Sequence, residues 1–165
     1  MELDIREIIG VPGSRKAFDY DLDLKDLNFD SFAGYRGPAK ISGEISNSAG
    51  VLEVRADLAV DVRCICSLCA KEFEQSIALP VFATLAAELQ DEENPDIYVL
   101  KGEMVDLDEI MVTEFILNVS DKYLCKPDCK GLCPDCGADL NNGPCACVKE
   151  ADPRLKILAS LLEED

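Results

Sequence analysis

The chain has 165 residues, 48% of them hydrophobic, with 33 acidic against 16 basic side chains, nine Cys, no His and no Trp. That length suits a domain of roughly 100–150 residues with a small appendage, and the apolar share is enough for a core, which argues against wholesale disorder. Without histidine, every His-based triad, His-ligated metal centre and imidazole acid–base mechanism is excluded, and a formal charge of −17 opposes broad electrostatic binding to nucleic acid.

The start, Met1-Glu2-Leu3-Asp4-Ile5, lacks the basic and continuous apolar segments of a secretory leader. No apolar run approaches the roughly 18–20 residues of a membrane span. The expectation is a cytoplasmic protein without membrane contact. In that reducing compartment cysteines bind metal more readily than they pair, and an odd count forbids complete internal pairing.

In chain order, Phe18-Asp19-Tyr20-Asp21-Leu22-Asp23-Leu24 alternates apolar residues with aspartate and predicts a half-buried strand or edge segment. Lys40 to Ile45 leads into the turn-rich Asn47-Ser48-Ala49-Gly50, and Val51 to Arg63 alternates apolar with polar, which predicts a hairpin. A further strand runs from about Phe73 to Leu85, where Pro80 predicts an edge position or a bulge. The acid-rich stretch from Glu88 to Asp96 reads as a solvated loop, and Ile97-Tyr98-Val99-Leu100 as a short strand. Asp106 is placed to cap a helix reaching about Val119, with Glu109, Thr113, Glu114 and Asn118 near one polar stripe. Asp152-Pro153 opens a second helix, with Leu155, Leu158, Leu161 and Leu162 on one face.

The cysteines carry the chemistry. Cys66-x-x-Cys69 and Cys133-Pro134-Asp135-Cys136-Gly137 have the spacing of knuckles that present two thiolates to one tetrahedral ion. Cys125, Cys129, Cys145 and Cys147 supply four more sulfurs, while Cys64 lies on the preceding strand and reads as a bystander. Eight cysteines fit two four-thiolate sites: Cys66, Cys69, Cys125 and Cys129 in one, Cys133, Cys136, Cys145 and Cys147 in the other. A single site from Cys66, Cys69, Cys133 and Cys136 is the alternative. Zinc is the expected ion, with iron in the manner of rubredoxins as a variant; a closed all-thiolate site leaves no position for catalytic water. Lys126, Lys130 and Lys149 are the bases near the sulfurs, placed to offset thiolate charge or to touch RNA locally.

No phosphate-binding loop, dinucleotide fingerprint or catalytic carboxylate pair is present, so neither an enzyme nor a small-molecule substrate is expected. The fold class expected is α+β: an antiparallel sheet or partial barrel with one or two packed helices and a C-terminal all-Cys zinc module. Residues 1–124 would form the core, and residues 125–165 the metal module and terminal helix, with one site shared with residues 66–69.

The run from Cys125 to Asn141 with Gly131-Leu132-Cys133-Pro134-Asp135-Cys136-Gly137, the trailing Cys145-Ala146-Cys147, and Asp152-Pro153-Arg154-Leu155 resemble the bacterial YceD family. That family also carries a Cys-x-x-Cys after its strands, matched by Cys66 and Cys69; Cys64 departs from its usual pattern. The resemblance covers the chain from about residue 40 onward. It implies a non-enzymatic factor needed for accumulation of large-subunit ribosomal RNA, often encoded beside a small zinc-binding ribosomal protein. The acidic composition then points to contact with a basic ribosomal protein or a pre-ribosomal large-subunit particle. A thiol regulator that releases zinc on oxidation, with Cys64 as resolving thiol, is the reading from a different class, and a rubredoxin-like electron carrier a third.

Overall fold

The longest strand explains the rest. Between Val51 and Ile65 every second residue, Leu52 through Cys64, is buried, while Arg55, Asp57, Ala59, Asp61 and Arg63 face solvent. Such alternation fits a strand with one covered face, and each buried Leu or Val contributes about 1.5–3 kcal/mol. In a computed structural model, which describes residues 1–86, 97–100 and 102–147, this strand is the centre of a mixed sheet.

The elements are β1 (Glu2–Asp4), α1 (Arg6–Ile9), β2 (Arg15–Leu22), β3 (Phe32–Tyr35), β4 (Ala39–Ser48), β5 (Val51–Ile65), β6 (Glu72–Ala86), β7 (Ile97–Val99), β8 (Met104–Asp106) and α2 (Leu107–Asn118), followed by a 3-10 turn over Leu140–Asn142. The main sheet has the order β2-β4-β5-β6-β7, with β3 paired to the far end of β5 beyond the reach of β4. It is open and not a barrel. β1 and β8 make a separate antiparallel pair.

The expected hairpin is β4–β5. Ser48 pairs with Val51 around Ala49 and Gly50, both at positive φ (53° and 95°), as a two-residue turn matching strand twist requires. The aspartate-alternating segment is β2 at the sheet edge, with Phe18 and Leu22 buried and Asp19 and Asp21 exposed. Pro80 faces Asp57 of β5 on one side, while β7 covers β6 only at residues 84–86 on the other, so its missing N–H lies along the uncovered edge.

Three details differ from the sequence reading. β7 runs parallel to β6, so the sheet is mixed. β1, α1 and β3 were not legible, because three or four residues cannot establish a period. In α2, Asp106 does cap the helix, accepting from the N–H groups of Asp108 and Glu109, but the polar stripe is not wholly solvated. Glu114 is buried and accepts from Tyr98 Oη (3.0 Å) and Asn118 Nδ2 (3.1 Å), whereas Ile116 and Leu117 are exposed.

α2 packs on β6 and β1, sending Leu107, Ile110, Met111 and Phe115 into the core with Ile41, Ile45, Leu58 and Val62. The acid-rich stretch at 88–96 and the second helix from Asp152 lie outside the described residues. Among the described residues, no helix is long and apolar enough to cross a membrane.

Candidate metal centre

The first knuckle is the tip of the long β5–β6 hairpin. Ile65 pairs with Glu72, and the intervening residues 66–71 close the loop through Cys66 N–H donating to Lys71 O (2.9 Å) and Ala70 N–H to Cys66 O (2.9 Å). Cys66 and Cys69 are buried there. The segment after α2 returns to the same tip: Ser67 N–H donates to Tyr123 O (2.8 Å), Tyr123 N–H to Ser67 Oγ (3.1 Å), and the Tyr123 ring lies 5.6 Å from that of Phe32. This docking delivers Cys125 and buried Cys129. Cys66 Sγ lies 3.7 Å from Cys129 Sγ, and Cys69 Sγ 3.7 Å from Cys125 Sγ.

The second quartet is built from loops. Cys133 N–H donates to Ala138 O and Gly137 N–H to Cys133 O, each 2.8 Å, closing the Cys133–Cys136 knuckle. A bridge joins Leu132 to Asp139, and Asp139 caps the 3-10 turn by accepting from Asn141 N–H (2.9 Å). The chain then brings up Cys145, whose Sγ lies 3.4 Å from that of Cys133, and Cys147. Cys136 is exposed, and Cys145 and Cys147 are half-buried.

In each quartet the four sulfurs lie within 4.8 Å of one another, so each could hold a metal ion. A tetrahedral ion with metal–sulfur bonds of about 2.3 Å sets its sulfurs about 3.8 Å apart, close to the contacts seen, whereas a disulfide needs about 2.05 Å. Iron and zinc fit that edge length equally well. The structure gathers Cys66 and Cys69 with Cys125 and Cys129, and not with Cys133 and Cys136.

The backbone also favours thiolate at the leading cysteine of each knuckle. Burial opposes ionisation of Cys66, but the N–H groups of Cys125, Cys69 and Leu68 overcome it and hold its pKa down at about 6. At Cys133 the N–H groups of Cys136 and Asp135 bring it to about 7. The neighbours resist a second charge: burial and hydrogen bonding to Cys69 push Cys125 up to about 12, and hydrogen bonding to Cys136 with burial does the same for Cys147. A cation approaching either set would therefore meet Cys66 or Cys133 readied as thiolate and would displace the protons of Cys125 or Cys147.

Cys64 is fully buried in the main core, opposite Phe32 and Phe73 in register, and burial raises its thiol pKa. A thiol kept protonated in a dry core is a poor nucleophile. Lys126 and Lys130 lie exposed beside the quartets, Lys126 being 3.9 Å from Asp128; Lys149 lies outside the described residues.

The sequence reading passed over Asp139, Asn141 and Gly131, which hold the two quartets against each other. Asp139-x-Asn141 ahead of the last two cysteines carries the mark of a side-chain-capped turn and was the available signal. At Gly131, with φ +72°, a Cβ would lie 2.9 Å from Leu68 O, so the linker can cross the first knuckle only without a side chain.

A family model described as large ribosomal RNA subunit accumulation protein YceD matches residues 54–162, a span that includes both quartets. The chain belongs to the YceD family. Uncharacterized proteins of Mycobacterium bovis and Mycobacterium tuberculosis are 31% identical to it over 70 residues, which is 42% of this YceD-family chain and 34% of theirs. The alignment thus spans about a third of the length of the curated relatives. No solved structure matches.

Proposed function

We propose that this chain is a non-enzymatic factor supporting accumulation of large-subunit ribosomal RNA in the cytoplasm, acting through contact with protein. Membership of the YceD family, whose name describes that role, is the observation that carries the reading. Residues 66, 69, 125 and 129 would hold one zinc ion and residues 133, 136, 145 and 147 a second. Their role is structural: closed thiolate quartets fix loops and leave no position for water. Residues 1–124 would serve as the sheet domain and residues 125–165 as the metal module, whose described part, 125–147, meets the hairpin tip.

The formal charge of −17 favours a basic ribosomal protein, free or within a pre-ribosomal large-subunit particle, as the partner. RNA is touched locally at most, near Lys126, Lys130 and Lys149. Affinity purification of the tagged chain from its host, with and without ribonuclease, tests this. Large-subunit precursors or a basic ribosomal protein should be recovered, resistant to ribonuclease and lost steeply as salt rises. Recovery of neither, at low or moderate salt, overturns the reading. The oxidation-switch alternative is weakened by the burial of Cys64 in the core.

A further inference from the structure

Asn141 belongs to the loop of the second quartet, between Cys136 and Cys145, yet its side chain reaches the first. Its Nδ2 donates to Cys129 Sγ (3.5 Å) and to Asp139 Oδ1 (2.7 Å), while its Oδ1 accepts from Lys130 N–H (3.0 Å). These partners fix the amide's orientation: a backbone N–H can meet only the carbonyl oxygen, which leaves the NH2 for the thiol sulfur and the carboxylate. Asp139 also accepts from Asn141 N–H, so amide and backbone of this residue are clamped together. Only Lys130, Gly131 and Leu132 separate Cys129 from Cys133. This linker is tied to the second module by Leu140 N–H donating to Gly131 O (3.0 Å) and to the first knuckle by Leu132 N–H donating to Leu68 O (3.0 Å).

Four thiolates around a divalent ion leave an excess of negative charge, and a hydrogen bond donated to one of them stabilises the loaded site. The donor here is held by a capped 3-10 turn inside a stretch too short to keep its shape without its own cross-link. We infer that Asn141 is a positioning residue that couples the quartets: an ion in the second set holds the turn, the turn presents the amide to Cys129, and metal at the first set is thereby retained longer. By linkage, whatever factor an ion in the second set adds to equilibrium binding at the first, an ion in the first adds to binding at the second. The inference rests on the reading that both quartets take metal, and its test separates the two.

The full chain is loaded with cobalt(II), whose thiolate charge-transfer absorption counts tetrahedral sites, and then with zinc, whose release to a chromogenic chelator is timed. The phase missing from Cys66→Ser/Cys69→Ser identifies the first quartet. Asn141→Leu should still load two ions and keep the wild-type far-ultraviolet β signal, but release zinc from the first quartet about 10–100-fold faster. Asn141→Asp, which keeps an acceptor for Lys130 and the turn while removing the donor, should do the same. When Cys145→Ser/Cys147→Ser has emptied the second quartet, adding Asn141→Leu should change first-quartet release by less than about threefold, because both changes remove one interaction. Unchanged release in both Asn141 variants, or a full effect persisting without the second quartet, overturns the coupling while leaving two metal sites standing. Failure of the wild type to bind two ions overturns the metal reading and the coupling together.

Discussion

The two quartets use the same ligand in the same number but are built by opposite means. The first sits on the tip of a hairpin whose strands are fifteen residues long, and its second pair of cysteines is docked by Tyr123 against Phe32. The second is assembled from loops and a 3-10 turn, with Cys136 exposed. A sheet holds two of the first quartet's sulfurs in place before any ion arrives. Those of the second are held by turn hydrogen bonds alone, without a strand pair beneath them. If each quartet takes an ion as proposed, the same four-thiolate chemistry would anchor one segment to a preformed scaffold and create the shape of the other.

Removing metal from the whole chain with a chelator should break this comparison open. Amides of 133–147 should lose at least about 100-fold in exchange protection, since structural zinc contributes on the order of 10 kcal/mol to small thiolate modules, while β5 amides stay protected. Equal loss in both regions would mean that the sheet too depends on the ions. Next in size, Phe115→Ala should lower the unfolding free energy of the sheet domain by about 3–5 kcal/mol in urea titrations, because Phe115 is fully buried on the core-facing side of α2. Its effect on zinc release from the second quartet at low urea should be negligible.

Gly131→Ala acts at the junction itself. Positive φ and the close approach of Leu68 O should cost about 1–3 kcal/mol and speed zinc release from both quartets, with the core transition unmoved. The smallest effect concerns acid. Hydrogen bonds from the side chain and backbone N–H of Arg6 hold Asp4 at about 2, below its unfolded value, so whatever stability it contributes is present above about pH 4 and lost as pH falls through about 2. Asp4→Asn should therefore differ slightly from wild type at neutral pH and converge with it only as pH falls below about 2. Metal should leave both quartets at milder acidity, when their thiolates take up protons.

The sheet was legible where burial imposes a period over many residues: β5 from the alternation between Val51 and Arg63, and the β4–β5 turn from Asn47-Ser48-Ala49-Gly50. β7 was placed as a strand but not oriented, because its parallel pairing with β6 is decided by tertiary contact and three residues carry no direction. The burial of Glu114 was not legible for a related reason: its partner Tyr98 is distant in sequence, and a pattern of polar spacing cannot see a hydrogen bond across elements. Knuckle spacing identified Cys66 with Cys69 and Cys133 with Cys136, since a turn of two intervening residues is a local geometric demand, and the other four cysteines followed from the count that two four-thiolate sites require. Asn141 escaped because one amide serving a distant sulfur leaves no repeat to detect.

The hairpin tip also has a consequence in time. Cys69 leaves the translating ribosome 56 residues ahead of Cys125, the sulfur it lies beside in the finished fold. At about 5–20 residues per second that interval lasts roughly 3–11 s, during which the strands can pair but their terminal thiols lack half of their neighbours. A nascent chain stalled before Cys125 should therefore take up a thiol-alkylating reagent at Cys66 and Cys69 that the released, metal-loaded chain resists, so that a stretch made seconds later closes the quartet begun at the hairpin tip.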